Sequence, residues 1–522
     1  MEIKEPDYHK FEEFQNRTKK LKDIRDSKLD PYPPKFSPSH NSVELHDLYN
    51  DKAIGHFDDA ASGETQSVSF AGRLILFRPM GKNIFAQLQD EGGKIQIMFN
   101  KDLSKINGYN PENSSEQLSD IKFIEKKLDL GDIIGVEGNL FHTQKGELTI
   151  LVKKLTILCK TLLPLPDKHS GLSDLGVKYR KRWLDLITDK HIIDTFILRS
   201  KIIKMIKEYL DEANFMEVET PILQNIYGGA EAKPFKTHIN ALHQDMYLRI
   251  SLEISLKKLL IGGFERVYEI GKVFRNEGID KTHNPEFTLL EAYASYWDYN
   301  DLMEFIEKMY ESIALKLFGS TNVQYNGHII DLKAPWKRLT MKGSIKEYGG
   351  IDVDTMTDED LLKKLLDTDI DRNKLKGASR GIMIALLFET LVEDKLIQPH
   401  HITDHPIETT PLCKLHRNPK ERKERLVERF ESFISGHEVL NAYSELNDPE
   451  LQRELLLEQA KKREQGNEEA HPLDEEFIEA ICQGMPPAAG FGIGIDRLVM
   501  LFTNSQSVRD VLFFPIMKPE EL

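Results

Sequence analysis

Cysteine is scarce. Cys159, Cys413 and Cys482 are the only three in 522 residues, far apart and without a C-x-x-C pair. That spacing excludes a disulfide framework, argues against structural zinc and points to a reducing compartment. Long apolar runs are also missing. The N-terminus, MEIKEPDYHKFEEF, has no hydrophobic signal segment, and the most apolar run, GIMIALLF from Gly381, stops at Glu389. A membrane helix needs about 20 such residues, so no membrane partner is expected and the expected location is the cytoplasm. Positive charge is not in excess either: the formal net charge is -15. An acidic total discourages non-specific nucleic-acid binding, yet phosphate recognition asks only for a local basic groove.

The usual nucleotide signatures are absent too. No G-x-x-x-x-G-K-[ST] occurs, which removes the P-loop. GFGIGID offers Gly490, Gly492 and Gly494, but Ile495 stands where a dinucleotide fingerprint wants its third glycine. ISGH, from Ile434, lacks the first histidine of H-x-G-H and reads as a hairpin turn. No repeat with a period of about 20 to 50 residues is present.

The length suits about two to four domains. Residues 1–60 begin with a helical Lys/Arg-rich segment, spaced through Phe14, Leu21 and Ile24, and break at DPYPPKFSPSH, as an arm would. Between Ser67 and Leu163 lie five short strands, SVSFAGRLILF, NIFAQLQD, KIQIMF, DIIGVEGNLF and LTILVKKLTIL, with turns at Gly92-Gly93 and Gly146. This pattern predicts an OB-fold barrel over residues 61–165, with a polar insertion at about 103–125. A proline-rich break, LLPLPDKHSG, opens a linker at 166–180. Residues 181–522 then read as a mainly antiparallel sheet with helices: an α+β fold with a helical insertion at about 345–400. Ile193, Phe196, Ile197, Ile203, Ile206 and Leu210 predict one amphipathic helix face leading into the strand FMEVETPIL.

One stretch is anomalous. The strand-like runs Val267–Phe274 and Phe287–Tyr293 are joined by Arg275, Glu277, Asp280, Lys281, His283 and Glu286, a connection too long and too charged for a hairpin of about two to five residues. Such a loop is expected to carry chemistry. FMEVETPIL with Pro221, FRNEG followed by THNPEFT, and GFGIGIDR occur in the order of motifs 1, 2 and 3 of the class II aminoacyl-tRNA synthetases, which the chain resembles. GGAEAKPF, YLRISLE, NAYSELND and MKPEE are similar to the lysyl-tRNA synthetases, and the resemblance spans about residues 10 to 520.

The resemblance implies lysine activation by ATP and transfer to lysine tRNA. It places Arg275 on the α-phosphate and the substrate carboxylate, His283 and Arg497 on the outer phosphates, and Phe287 on adenine. Arg275 and Arg497 are thus the implied catalytic residues, and Glu277, Asn284, Glu438 and Gly494 complete the ATP set. Cations and donors of this kind are what a polyphosphate needs. Glu431 and Glu438 flank the Ser435-Gly436 turn, which brings two mutually repelling carboxylates close, and the family holds Mg2+ there. An ammonium side chain needs carboxylates and other acceptors. The resemblance assigns Glu291 and Tyr293 to the lysine ammonium and Glu253 to the α-amino group, with Gly229, Asn441, Tyr443, Glu445 and Gly492 around them.

On the barrel, Phe85 would stack on an anticodon base, with Arg73, Gln96 and Glu147 beside it. Motif 1 implies a homodimer. Tyr227 replaces a frequent proline, SLE replaces APE and Trp183 replaces tyrosine. Ser251 can still cap the helix that follows. The N-terminus lacks a long lysine-rich extension, so a bacterial-type enzyme is implied. An aspartate or asparagine synthetase of the same subclass, or a paralogue that lysylates a protein, are the alternatives.

Overall fold

The structure is a computed structural model, and it describes residues 5–113, 116–166 and 174–519. The chain divides into two compact units between residues 173 and 174. The second half of LLPLPDKHSG, the expected boundary, and the end of MKPEE lie outside the described residues, at 167–171 and 520–521.

The first unit is built on β1 (Ser67–Met80), β2 (Asn83–Gln89), β3 (Lys94–Asn100), β4 (Lys105–Ile106), β5 (Ile133–His142) and β6 (Leu148–Cys159). They are ordered β3-β2-β1-β5-β6-β4. Pairing of β3 with β6, from Gln96 opposite Thr149 to Phe99 opposite Val152, closes the five long strands into a barrel. Alternation does the sorting: Ile84, Ala86 and Leu88 of β2 point inward with Ile95, Ile97 and Phe99 of β3. The polar insertion expected at 103–125 contains β4 and the helix Asp120–Lys127.

The expected arm shares this core. Ile24, from the helix Glu12–Asp26, and Leu29 and Leu45 are buried with the barrel residues. Buried charges reinforce the junction. The Lys160 ammonium lies 2.8 Å from Asp132 and 2.5 Å from Asp129, while Arg17 donates to the Leu130 carbonyl at 3.0 Å and to Thr161 at 2.9 Å.

The second unit holds β7 (Met216–Glu217), β8 (Leu223–Gln224), β9 (Lys236–Ile239), β10 (Gln244–Leu248), β11 (Arg266–Phe274), β12 (Glu286–Ser295), β13 (Asn322–Tyr325), β14 (His328–Asp331), β15 (Lys337–Thr340), β16 (His400–Pro406), β17 (Leu426–Ile434), β18 (His437–Ser444) and β19 (Ala488–Gly494). Eight of these form one sheet, β15-β16-β17-β18-β19-β12-β11-β7. All its neighbours are antiparallel except β15 with β16 and β11 with β7. One face is covered by the helices Lys190–Glu212, Tyr299–Phe318 and Ile495–Thr503 around Ile206, Tyr268, Ile306, Phe430 and Phe491.

Two expectations change here. FMEVETPIL is strand only at its ends, in β7 and β8, with an irregular turn through Pro221 between them. The long helix buries Ile202 with Phe196, Ile206 and Leu210, whereas Ile193, Ile197 and Ile203 are only partly covered. The insertion expected at 345–400 has its own core of Ile345, Leu361, Leu365, Leu387 and Phe388.

Gly138 lies at an irregularity in the β5–β6 register, where an added Cβ would stand 2.0 Å from the Leu151 carbonyl oxygen. A backbone neighbour cannot give way, so Gly138→Ala should lower stability by about 1 to 3 kcal/mol, measured by urea denaturation followed by circular dichroism.

Candidate active site

The anomalous charged stretch connects β11 to β12, and the two strands pair in perfect alternation from Arg266 opposite Ala294 to Phe274 opposite Glu286. On its other side β12 meets β19, which sets Leu289 opposite Gly494, Glu291 opposite Gly492 and Tyr293 opposite Gly490. Across β19 lie Asn441, opposite Gly492, and Tyr443, opposite Gly490. These side chains floor a cavity of about 430 Å³ whose rim includes Gly229, Arg275, His283, Glu438 and Arg497. That volume suits a small-molecule site.

The glycines of GFGIGID divide by role. A Cβ on Gly490 would stand 2.2 Å from the Tyr293 ring and 2.7 Å from Glu445, so this glycine makes room for protein side chains. On Gly492 the nearest atom would be Glu291 Cγ at 3.7 Å, and on Gly494 it would be Arg497 Cγ at 4.0 Å. Only these two leave the strand open to a ligand. Gly229 has φ +86°, and its Cβ would fall 2.6 Å from Ser251 Oγ, so backbone alone fits there.

One end of the cavity is anionic. Glu253, Glu291 and Glu445 are all buried. Glu291 is held at the start of the helix Glu253–Ile261: Ser251 Oγ donates to it at 2.6 Å, the Leu252 amide at 3.0 Å and the Tyr293 hydroxyl at 2.9 Å. Burial, with the Glu253 charge adding to it, pushes Glu291 up to about 7. Ser251 also accepts from the Glu253 amide at 3.1 Å, although it stands one residue ahead of the N-cap, Leu252, and the expected side-chain cap is not made. The Tyr443 hydroxyl donates to Glu253 at 2.7 Å. Burial and these carboxylates lift both tyrosines well above the ordinary phenol range.

Lys257, which the sequence reading passed over, is fully buried at this end. Its ammonium contacts Glu253 at 2.5 Å and also Glu445. The i to i+4 spacing from Glu253 on one helix was its only sequence signal.

The opposite end is cationic. Arg275 lies over the Phe287 ring, 5.1 Å from its centroid, and Nε donates to the Ile250 carbonyl at 3.3 Å. Arg497 donates to the Glu438 carbonyl at 2.9 Å and to His283 Nε2 at 3.1 Å. Because a guanidinium only donates, that nitrogen carries no proton in this contact. His283 Nδ1 lies 2.8 Å from Asp280. Asn284 is buried beside them with its Oδ1 unpartnered among the described residues. Glu277 is exposed at the cavity mouth.

Ser435 and Gly436 turn the β17–β18 hairpin with φ +54° and +72°. The expectation that this turn sets Glu431 and Glu438 on neighbouring positions needs correction. A bulge after Ser432 places Glu431 opposite Asn441 and Glu438 opposite Phe433. Arg429, also unremarked in the sequence, anchors the region by donating to Asn441 at 2.9 Å and Glu431 at 2.5 Å.

The carboxylates still feel each other. Desolvation and the Glu431 charge push Glu438 up, and burial with Glu431 and Glu438 pushes Glu393 up to about 7. Glu438 lines the cleft, and with Glu431 behind it the two mutually repelling carboxylates fit a divalent cation. Among the described residues no group of three or more His, Cys, Asp or Glu side chains has metal-holding geometry on its own, so outside oxygens must complete such a site.

On the barrel, Arg73, Phe85 and Gln96 share the outward face of β1, β2 and β3: Arg73 is opposite Gln89, Gln87 is opposite Gln96 and Phe85 is opposite Met98. Phe85 is half-buried against Met98, Phe141 and Leu151, so it packs on the outside of the barrel and not in its core. Gln96 donates to Thr149 at 2.8 Å, and Arg73 to the Gly131 carbonyl at 2.9 Å. Glu147 is exposed beside them, its carbonyl accepting from Thr149 at 3.0 Å.

Comparison with known proteins agrees with this geometry. Residues 174–518 match the family described as tRNA synthetases class II (D, K and N), and residues 68–158 match the OB-fold nucleic acid binding domain. The lysine–tRNA ligase of Chlamydia caviae is 55% identical over 99% of both chains. That of Enterococcus faecalis is 47% identical over 96% of both, and one from Clostridium botulinum is 45% identical over 98% of this chain and 97% of its own. With a synthetase domain, a nucleic acid binding barrel ahead of it and relatives matched from end to end, the chain belongs to the lysine–tRNA ligase family of class II tRNA synthetases.

Proposed function

We propose that the enzyme activates L-lysine with ATP and transfers the lysyl group to the 3′ end of lysine tRNA. The observation that carries the reading is the polarity of the cavity, with Arg275, His283 and Arg497 at one end and the buried Glu253 and Glu291 at the other, Glu445 being buried behind them. ATP lies along the cationic end, with adenine against Phe287 and Arg275 on the α-phosphate. The lysine carboxylate then attacks the α-phosphorus in line and pyrophosphate leaves. A terminal hydroxyl of the tRNA takes the aminoacyl group in the second step, and AMP leaves. Catalysis is positioning and charge stabilisation, without a general base of special pKa. Glu431 and Glu438 would hold Mg2+, which when bound neutralises the phosphate oxygens.

Lysine extends into the anionic end, with Glu291 and Tyr293 on the side-chain ammonium, Glu253 on the α-amino group, and Asn441, Glu445 and the open backbone at Gly492 and Gly229 closing around it. An aspartate or asparagine substrate fits this end poorly, because its carboxylates outnumber its cations. Arg73, Phe85, Gln96 and Glu147 are positioned to read an anticodon, which a protein-lysylating paralogue does not need. The exposed Met216, Ile222, Leu223 and Ile226, with the half-covered face of the helix Lys190–Glu212, support a homodimer. No described helix is long and apolar enough to cross a membrane, and a cytoplasmic location suits the substrates.

ATP–pyrophosphate exchange across the twenty amino acids should respond to lysine, and a response to aspartate or asparagine alone would overturn the reading. Glu291→Gln should weaken apparent lysine affinity by about 2 to 5 kcal/mol in the same assay. The ammonium needs the ionised form of Glu291, whose pKa is raised to about 7. Binding below that pH must first displace a proton. Apparent lysine KM should therefore rise by about tenfold per pH unit below 7, and Glu445, which burial pushes up to about 8, should delay the plateau toward that pH. Phe85→Ala should cost about 1 to 3 kcal/mol of tRNA affinity in charging assays and leave pyrophosphate exchange intact.

A further inference from the structure

The anionic end of the cavity is unusual in holding a lysine of its own. Lys257 has no exposure at all, and its ammonium is divided between Glu253, one turn earlier on the same helix, and Glu445, beyond the end of β18. Two aromatic faces lie over the charge, Tyr443 at 5.4 Å and Phe477 at 6.0 Å. The remaining titratable neighbours are neutral: burial holds His471 down to about 4 and lifts the Cys413 thiol well above its usual range. Burial alone would lower Lys257, but Glu253 and Glu445 outweigh it and raise it.

Charge counting gives this arrangement a purpose. Glu253, Glu291 and Glu445 bring three negative charges into a desolvated space, and two buried carboxylates that close ordinarily share a proton. A resident ammonium opposes that sharing, although burial still pushes Glu445 up to about 8 with Lys257 beside it. We propose that Lys257 is a positioning residue that opposes proton uptake by the Glu253–Glu445 pair and keeps both carboxylates aimed at the two ammonium groups of the substrate. The inference rests on the lysine reading above and assigns Lys257 no contact with the reacting atoms.

Lys257→Met removes the charge and keeps much of the volume. The Glu253–Glu445 pair then takes up a proton that lysine has to displace. In ATP–pyrophosphate exchange at pH 7.5, apparent lysine KM should rise by about tenfold or more while ATP KM moves by less than about twofold. The ratio of variant to wild-type lysine KM should fall as pH is raised from 7.5 to 9, above the Glu291 ionisation. A ratio near one, or a ratio equally raised at every pH, overturns the proposal.

If the variant does not fold, calorimetry of lysine binding to the wild-type full chain at pH 8, in buffers of different ionisation enthalpy, serves instead. Release of clearly less than one proton supports the role, and release of one proton or more overturns it. Absence of any lysine-dependent exchange by the wild type would sink the functional reading, whereas wild-type exchange with an indifferent Lys257→Met variant would sink this inference alone.

Discussion

The antiparallel pairing of β12 with β19 sets Leu289, Glu291 and Tyr293 directly opposite Gly494, Gly492 and Gly490, and the rest of the cavity depends on that register. Side chains of a strand alternate between faces, so a slip of one residue would turn Glu291 and Tyr293 away from the cavity and present Leu290 and Ala292 instead. The hydrophobic core forbids the slip. Leu290 and Ala292 are fully buried on the helix-covered face with Phe491 and Ile493 of the neighbouring strand. Apolar packing beneath the sheet thereby fixes the polar chemistry above it, and Asp496, accepting from the Thr288 amide at 2.9 Å and pairing with Arg199 at 2.6 Å, ties the following helix to the same register.

Charge is segregated with equal economy. The cationic end draws on the β11–β12 loop and the helix after β19, while the anionic end draws on β12, the helix Glu253–Ile261 and the chain just past β18. Ser251 and Leu252 join the two systems, since the first turn of a helix supplies the donors that hold the carboxylate of a strand residue.

Much of this was legible in the sequence because it lies in local patterns. The five barrel strands follow from alternation and glycine turns, and the length and charge of the loop after Phe274 marked the site before any geometry was known. Where the outcome depends on residues distant in sequence, local pattern was silent. Gly490 resembles its neighbours Gly492 and Gly494 until Tyr293 is seen to occupy its face. Lys257 and Arg429 look like ordinary surface cations, and only the folded sheet closes carboxylates around them. Similarly, a bulge cannot be counted from residue types, and it sets Glu431 opposite Asn441 where a regular hairpin would set it opposite Leu440. FMEVETPIL alternates like a strand, yet only its ends find partners to pair with.

The contact between Arg497 and His283 carries a consequence for how nucleotide enters. It joins the helix after β19 to the far end of the β11–β12 loop through a neutral imidazole nitrogen. Under the proposed reading, an incoming polyphosphate would not fill a void there: it would take over a guanidinium that already has an acceptor in His283 Nε2. Capture would then be an exchange of partners at Arg497, and the position of the imidazole would gauge whether the triphosphate has arrived.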